Sequence, residues 1–387
     1  MDAMEELIAA IYTTPIIDNH CHPLLKPSAQ VKHSRLAITT EAHGNAMRNT
    51  LSSLAHMRAV NQLSSILGCS ATWDEVCAAI DHENSKPGDA WAKQCFQGIE
   101  MLLIDDGLDG IGDALDYRWH DRLAGQKSKR IVRIEKVIED IIEGCLEKSI
   151  VANEMFGIVL REFEMAIETA IDDPEIVGFK SVICYRTGLN IPPTVNQAHV
   201  EKEFGQFFTN FTGKDFKRLD NVLMNPFIVH KTAELIQKSP GAKKPIQFHT
   251  GLGDNDITLT LSSPSHLQDF IRCYPTVPIV LLHASYPWTK EAGYLASVYE
   301  NVFVDIGEIF PMVSKDGQEN AVREILELCP SEKILWSTDG HWFAETFLLA
   351  VIQAREVFEV VCNIVSGIVR CFTDILGAFR VCKGWSS

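Results

Sequence analysis

The 387-residue chain is 46% hydrophobic and 22% charged, an ordinary globular composition with ample apolar material for a large core. Its formal net charge of −16 argues against a nucleic-acid partner, whose phosphates call for basic patches, and no basic run is longer than "KSKR" at 127–130. The first residues, "MDAMEELIAAIY", lack the basic segment of a secretory signal, and the eleven cysteines contain no CxxC pair. We therefore expect a cytoplasmic protein with reduced thiols.

Short β-rich runs alternate with helical stretches along the chain. Eight runs are predicted as strands: 15–20, 98–105, 130–137, 176–185, 245–249, 278–283, 302–307 and 333–339. Between and after the later strands, helices are predicted at 263–274, 289–299, 319–328 and 345–359. This alternation predicts parallel pairing with right-handed crossovers, and eight units indicate an α/β (β/α)8 barrel of the TIM type. A doubly wound parallel sheet is the alternative.

Two stretches interrupt this rhythm. Residues 23–97 look mainly helical and are predicted to form an insertion after the first strand. A second helical block is predicted at about 138–171, before the fourth strand. Additions of this kind could cover the barrel mouth.

The first strand ends in two histidines separated by one residue, in "PIIDNHCH". Alternate side chains of a strand lie on the same face, so His20 and His22 are expected a few ångströms apart. Two neutral imidazoles in that arrangement suit a divalent metal ion, and they suit a dry core badly unless both find partners. Capping or hydrogen-bonded histidines are the plainer alternative.

Three later strands also end in metal-binding or proton-handling residues, namely His249, His283 and Asp339. In a barrel these ends converge on the face where active sites are built. Each has an alternative: the histidines could be packed core residues, and Asp339 before Gly340 could form a turn or cap a helix N-terminus. His341 is predicted as a substrate contact. The other histidines are expected at the surface or in packing: His33, His43, His56, His82, His199, His230 and His266.

Several long segments resemble one family. They are "IIDNHCHP", "VGFKSVICYRTGL", "QFHTGLGDNDI", "VPIVLLHASYPWTKEAGYLASVYENVFVDIGEIFPMVS" and "ILWSTDGHWFAETFLLA". They resemble the amidohydrolase superfamily, and within it the amidohydrolase-related (amidohydrolase 2) proteins of the FluG type. Those proteins resemble the N-terminal part of fungal developmental FluG proteins and of plant nodulin–glutamine synthetase fusions. The resemblance covers about residues 1–359.

The resemblance implies a metal-dependent barrel and a set of ligands. His20, His22, His249 and Asp339 would hold one divalent ion, expected to be zinc with manganese as the alternative, and His283 would orient or polarise the substrate. Lys180, on the predicted fourth strand, matches a position where some relatives carry a carboxylated lysine that bridges two metals. A structural salt bridge, or a cation facing an anionic substrate group, is the alternative for Lys180.

Two further residues are predicted to contact substrate. Arg186, in "YRTGL", could bind a substrate carboxylate through two parallel hydrogen bonds, although a surface arginine is an equal alternative. Glu308, just after the seventh strand, is predicted either beside the substrate or behind a ligand histidine, and an ordinary turn residue is an equal alternative. The acidic loop "GDNDI", with Asp254 and Asp256, is expected to cap a helix or to shape the pocket rim.

The expected activity is metal-dependent hydrolysis of an amide or other C–N bond of a small molecule, with metal-activated water as nucleophile and Asp339 as general base. One alternative is metal-dependent decarboxylation of an aromatic acid, with which Trp288, Trp342 and Phe343 are compatible. The other is a weakly catalytic developmental-regulator scaffold. The expected partner is a small-molecule substrate rather than a nucleic acid or a membrane, and a homo-oligomer stays open.

The last 28 residues, 360–387, depart from the expected family ending. Their apolar positions fall at helical spacing, which predicts an amphipathic helix or tail: Ile364, Ile368, Phe372, Ile375 and Phe379. Arg370, Asp374 and Arg380 interrupt the apolar run and argue against a membrane span. The predicted division is thus an amidohydrolase-type barrel over 1–359 and an atypical tail over 360–387.

Overall fold

Eight short strands, each followed by helical segments, form one parallel sheet in strictly sequential order. The computed structural model of the chain describes residues 3–108, 111–148, 150, 152–209 and 216–364. Within these residues the strands are β1 Ile16–Cys21, β2 Ile99–Asp105, β3 Lys129–Arg133, β4 Ile176–Ser181, β5 Ile246–Phe248, β6 Ile279–Leu281, β7 Val302–Asp305 and β8 Ile334–Leu335.

Backbone hydrogen bonds between β1 and the segment after β8 bring the two edges of the sheet together. Asn19 N–H donates to the carbonyl of Trp336 (3.1 Å), Asp339 N–H donates to His20 (3.1 Å), and His22 N–H donates to Gly340 (2.8 Å). The sheet is therefore a nearly closed barrel, which confirms the predicted (β/α)8 fold and excludes the doubly wound alternative.

The predicted helical insertion after β1 is also present. It follows α1 (Ala3–Thr13) and β1, and it contains α2 (Pro27–Gln30), α3 (Leu54–Leu67), α4 (Trp73–Asn84) and α5 (Ala90–Cys95), with short helical turns at Arg35–Ile38 and Gly44–Ser52. The later helices are α6 Ile134–Glu147, α7 Ala152–Asp172, α8 Gln197–Phe208, α9 Met224–Lys238, α10 Gln268–Cys273, α11 Thr289–Val298, α12 Ile309–Met312, α13 Lys315–Leu326 and α14 Ala344–Ile364.

The third and fourth strands are shorter than predicted. The predicted strand 130–137 ends at Arg133, because Ile134, Ile138 and Ile142 are buried at helical spacing and begin α6 instead. The predicted strand 176–185 ends at Ser181. There the buried carboxylate of Glu135 accepts hydrogen bonds from the Ser181 hydroxyl (2.7 Å) and the Val182 N–H (3.0 Å), and the chain turns into a short helical segment.

Strand residues alternate between two kinds of apolar core. One face of the strands joins the helices in a large shared core, as Leu102, Ile279 and Leu281 do. The neighbouring residues Leu103 and Val280 belong to two small clusters to which no helix contributes. These small clusters therefore fill the barrel interior and form the floor beneath the site.

The insertion has its own apolar core, shared with the start of α14. Leu63 of α3 and Ile80 of α4 pack in one cluster with Phe343 and Leu349. This packing holds the insertion against the chain just after β8. None of the described helices combines the length and the apolar character that a membrane span requires.

The last described helix, α14, continues through residue 359 to Ile364. The predicted boundary between 359 and 360 therefore falls inside a continuous helix. The prediction for 365–387, an amphipathic helix or tail, lies outside the described residues.

Candidate metal centre and active site

His20, His22 and Asp339 meet at the mouth of the barrel. Nε2 of His20 lies 3.4 Å from Oδ1 of Asp339, and Nε2 of His22 lies 3.5 Å from the same oxygen. The side chains of both histidines are almost fully buried. The sequence separates these residues by more than 300 positions, and the contact between β1 and the segment after β8 brings them together.

Hydrogen bonds fix which nitrogen each histidine presents to Asp339. Nδ1 of His20 lies 2.9 Å from Oε1 of Gln247, whose amide nitrogen donates to the Asn19 carbonyl at 2.8 Å. Nδ1 of His22 lies 2.9 Å from the carbonyl oxygen of Asp105. Both acceptors are oxygens, so both Nδ1 atoms carry the proton and both Nε2 lone pairs point at Asp339.

The spacing of these three atoms fits a metal ion. Ligands held about 2.1 Å from a tetrahedral zinc ion lie about 3.4 Å from one another, which matches the two observed distances. Nδ1–H groups donating to fixed oxygens are the usual support for metal-binding imidazoles. The donor set therefore fits a divalent cation, although nothing in it selects zinc over manganese.

Lys180 adjoins this centre. Its side chain is 2% exposed, and Nζ lies 3.1 Å from Nε2 of His20. Burial lowers the pKa of the Lys180 ammonium group to about 8, against the opposing influence of Asp339 and Asp105. The lysine thus reaches the same lone pair that a metal would use, which places it in the pocket rather than in a structural salt bridge.

His249, His283 and Glu308 form a second group beside the first. Nδ1 of His283 lies 3.1 Å from Oε2 of Glu308, and the His249 and His283 ring centres lie 4.4 Å apart. Nε2 of His249 faces the Leu252 carbonyl at 2.8 Å, which leaves Nδ1 with the lone pair. The structure therefore divides the predicted ligands: it gathers His20, His22 and Asp339, and it places His249 in the neighbouring group.

Burial governs the protonation of this second group. It lowers the pKa of both His249 and His283 well below the usual range, and the nearby Lys180 charge acts in the same direction. Burial, together with the negative Asp339, raises the pKa of Glu308 well above its usual range. Neutral imidazoles beside a protonated carboxyl group are the expected state without a cation.

Three residues of the two groups have left-handed backbone conformations. The φ angles are 66° at His283, 58° at Glu308 and 49° at Asp339. Such conformations are unfavourable for residues other than glycine and are concentrated at functional sites. They lie just after β6, β7 and β8, and all three residues line one cavity at the barrel mouth.

A cavity of about 400 Å³ opens above both groups. Of the predicted substrate contacts, Arg186, Glu308 and His341 all line it. The Arg186 side chain is 8% exposed, one of its terminal nitrogens lies 3.5 Å from Oε1 of Glu139, and its Nε has no hydrogen-bond partner among the described residues. Nδ1 of His341 faces the Asp339 carbonyl at 3.1 Å.

Sequence reasoning missed other residues of this cavity. Arg133, which pairs with Asp105 at 2.6 Å, lines it from the end of β3. Arg133 stands inside the predicted strand 130–137, so a search for polar residues at the predicted strand ends would not have found it. His33 and His43 also line the cavity, His33 stacked on Trp342 and His43 exposed, so both have the predicted surface or packing environment and lie beside the site as well. They come from the insertion, whose path over the mouth depends on its packing.

The three aromatic residues that were compatible with the decarboxylase alternative lie in different places. Trp342 lines the cavity and stacks on His33, with ring centres 4.8 Å apart. Phe343 is buried in the core of the insertion, and Trp288 is not among the cavity-lining residues that the structure describes. One indole at the rim is weak support for an aromatic substrate.

A close approach after β5 helps to shape the cavity wall. Gly251 has φ +78°, and a Cβ built there would lie 2.4 Å from the Tyr286 carbonyl oxygen. Only glycine allows this contact, which presses the loop after β5 against the loop after β6 and keeps His249 beside His283.

The fold and the site are those of a metal-binding (β/α)8 barrel, and comparison with known sequences identifies the family. The amidohydrolase family model (Amidohydro_2) matches residues 225–358. The chain belongs to the amidohydrolase superfamily. More particularly, it is of the FluG type: it is 42% identical over 378 residues to Protein fluG of Emericella nidulans, a match that spans 93% of this chain and 44% of that protein. The chain thus spans less than half of that relative.

Solved structures support the fold. A Lactobacillus casei protein described as a metal-dependent hydrolase is 24% identical, with a TM-score of 0.80 over 98% of this chain and 97% of its own. The uronate isomerase of Thermotoga maritima is 14% identical, with a TM-score of 0.66 over 100% and 97% of the two chains. These likenesses establish the barrel, and the reaction must be argued from the site.

Proposed function

We propose that the chain is a metal-dependent enzyme that hydrolyses an amide or other C–N bond of a small molecule. The single observation that carries the proposal is the triad at the mouth, in which Nε2 of His20 and Nε2 of His22 lie 3.4 and 3.5 Å from one carboxylate oxygen of Asp339, the spacing of two ligands on a shared metal ion. The cavity of about 400 Å³ above it suits a small ligand rather than a macromolecule.

His20, His22 and Asp339 would hold the cation. A divalent ion bound there would lower the pKa of a water molecule and polarise the scissile carbonyl group. Lys180 adjoins His20 and His249 belongs to the neighbouring group, and a carboxylated Lys180 with His249 would allow a second ion. Whether one or two ions bind follows from the state of that lysine.

Asp339 serves as the general base of this proposal. Its Oδ1 lies nearest the two histidines, while its Oδ2 lies 4.0 Å from Nδ1 of His283. One carboxylate oxygen can therefore contact the cation while the other accepts the proton from the attacking water. The same oxygen then returns that proton to the leaving nitrogen.

His283 serves as the hydrogen-bond donor to the substrate carbonyl. Nδ1 of His283 lies 3.1 Å from Oε2 of Glu308, yet neither atom makes a hydrogen bond among the described residues, so the neutral imidazole can carry its proton on Nε2. Nε2 is buried and has no hydrogen-bond partner among the described residues. It is thus free to stabilise the negative charge that develops on the carbonyl oxygen.

Arg186 is the proposed binding group for a substrate carboxylate, because its buried Nε lacks a partner in the cavity wall. The resemblance to nodulin–glutamine synthetase fusions favours a γ-glutamyl amide, a small acid of this kind. His341 and Trp342 would contact the remainder of the substrate.

The test is elemental analysis of the purified protein together with a screen of γ-glutamyl amides and aromatic acids. The proposal predicts stoichiometric metal, ammonia or amine release, and loss of turnover on chelation that Zn²⁺ or Mn²⁺ restores. The His20→Ala, His22→Ala double variant should be inactive. Carbon dioxide release from an aromatic acid would replace hydrolysis by decarboxylation, and a metal-free protein would favour the scaffold.

A further inference from the structure

Glu41 reaches the cavity from the insertion and is not part of either histidine group. Its loop is held in place on both sides: Thr39 Oγ1 lies 2.9 Å from Nδ1 of His56 in α3, and the Ala42 N–H donates to Thr40 Oγ1 at 3.1 Å. Nδ1 of His43 lies 2.9 Å from the Glu41 carbonyl. The loop therefore positions the Glu41 side chain rather than leaving it to solvent.

One carboxylate oxygen of Glu41, Oε1, is buried and has no hydrogen-bond partner among the described residues. An ionised oxygen sealed from water without a donor is costly. Burial, and next the negative Asp339 and Asp254, raise the pKa of this carboxyl to about 8. Both observations indicate a position that a cationic donor would stabilise.

Glu41 and Asp254 also differ from the other carboxylates that line the cavity, each of which has an arginine or histidine nitrogen within 4.0 Å. Asp256 pairs with Arg218 at 2.6 Å, Glu308 faces His283, and Asp339 faces His20 and His22. Across the described residues, neither Glu41 nor Asp254 has a basic side chain within ion-pair distance. Asp254 accepts the backbone N–H of Asp256 with Oδ1 (2.9 Å), which leaves Oδ2 for a ligand.

A second metal ion is a poor occupant for this pair. The clusters of three metal-binding side chains within the described residues are His20, His22 and Asp339, and His249, His283 and Glu308. Neither includes Glu41 or Asp254. Two carboxylates without a third ligand instead suit an alkylammonium group, which offers three donors and one positive charge.

We propose that Glu41, together with Asp254, binds the ammonium group of a zwitterionic substrate whose carboxylate faces Arg186. This inference rests on the proposed function and narrows it from small acids to amino acids and their derivatives. Glu41 is then a residue of substrate specificity, supplied by the insertion rather than by the barrel.

The experiment compares two ligands that differ by one ammonium group. The zinc-loaded protein is titrated calorimetrically with L-glutamate and with glutarate. We expect L-glutamate to bind about tenfold more tightly, the typical worth of one charge-assisted hydrogen bond. Equal affinities, or no binding of L-glutamate at millimolar concentration, would overturn the inference without recourse to any variant.

Glu41→Gln then tests the residue itself. The variant should lose most of the preference for L-glutamate without loss of glutarate affinity, whereas Glu143→Gln, on the exposed face of α6, should keep both. An unchanged preference in Glu41→Gln contradicts the assignment. Metal content and turnover of γ-glutamyl amides are measured on the same preparations. If the native protein turns over γ-glutamyl amides but binds L-glutamate no better than glutarate, the ammonium site at Glu41 and Asp254 is refuted and the proposed function stands. If it prefers L-glutamate but holds no metal or shows no turnover, the proposed function is refuted and the ammonium site stands.

Discussion

At the scale of single residues, the site depends on acceptors that orient the histidines. Gln247 occupies a buried position where its amide nitrogen donates to Asn19 twice, to the carbonyl at 2.8 Å and to Oδ1 at 3.1 Å. That leaves Oε1 fixed as an acceptor for His20. The tautomer of a metal-binding histidine is therefore set by a glutamine on β5, four strands away.

Gln247→Ala removes that acceptor. We expect metal affinity to fall by about 10- to 100-fold, because the His20 ring loses its orientation and its preference for a free Nε2. A competition titration with a metal-sensitive dye measures the change. Gln97→Ala, at an exposed position, is the matched control. Undiminished metal affinity in Gln247→Ala would show that His20 is not a ligand.

At the scale of elements, the insertion is stabilised by a small core. Leu63 of α3 is fully buried in the cluster that joins the insertion to Phe343 and Leu349, whereas Leu54 of the same helix is 68% exposed. The two leucines differ in environment and not in chemistry. They therefore isolate what the packing of the insertion contributes.

Leu63→Ala should lower the free energy of unfolding by about 2 to 5 kcal/mol through lost burial and the remaining cavity. Leu54→Ala should change it by less than about 0.5 kcal/mol. Urea denaturation of both variants measures the difference. Similar small effects in the two would mean that the insertion does not pack as described.

His120 connects the chain after β1 to a helical turn after β2, and it makes stability depend on pH. Its Nε2 accepts the Leu24 N–H at 3.0 Å, so the buried ring must be neutral. Burial lowers the pKa of His120 to about 4, below the usual 6.5. The unfolded chain takes up a proton near pH 6.5 and the folded chain does not, so stability is lost as the pH falls from 6.5 toward 4.

Between pH 7.5 and 5.5, His120 alone should lower the free energy of unfolding by about 1 kcal/mol. Urea denaturation at both pH values should therefore show a smaller loss in His120→Gln than in the native chain. The exposed His82→Gln serves as the control and should keep the full loss. Equal losses in all three proteins would show that His120 is protonated without penalty.

At the scale of the whole molecule, the barrel could be predicted because its strands are short apolar runs separated by helical ones. The strand-end residues followed from that topology, and so did the meeting of His20, His22 and Asp339. The exact residues at which strands end were harder to predict. Of the predicted strand 333–339, only Ile334–Leu335 belongs to β8, and the residues that follow make separate backbone hydrogen bonds with β1 and His22.

The contribution of the insertion could not be predicted from sequence. Glu41 and His43 lie in a polar loop with no periodic pattern, and their place over the mouth depends on the packing of α3 and α4 against the chain after β8. The grouping of His249 with Glu308 likewise depends on left-handed turns at His283 and Glu308. The sequence indicates a left-handed turn where it has a glycine, and it gives no such indication at a histidine or a glutamate.

The central claim is that residues remote in the chain surround one divalent cation at the barrel mouth. The most direct measurement is anomalous diffraction at the zinc edge from crystals of the zinc-loaded protein. We expect a peak about 2.0 to 2.3 Å from Nε2 of His20, Nε2 of His22 and a carboxylate oxygen of Asp339. Zinc found only elsewhere on the protein, with no peak between these three side chains, would contradict it.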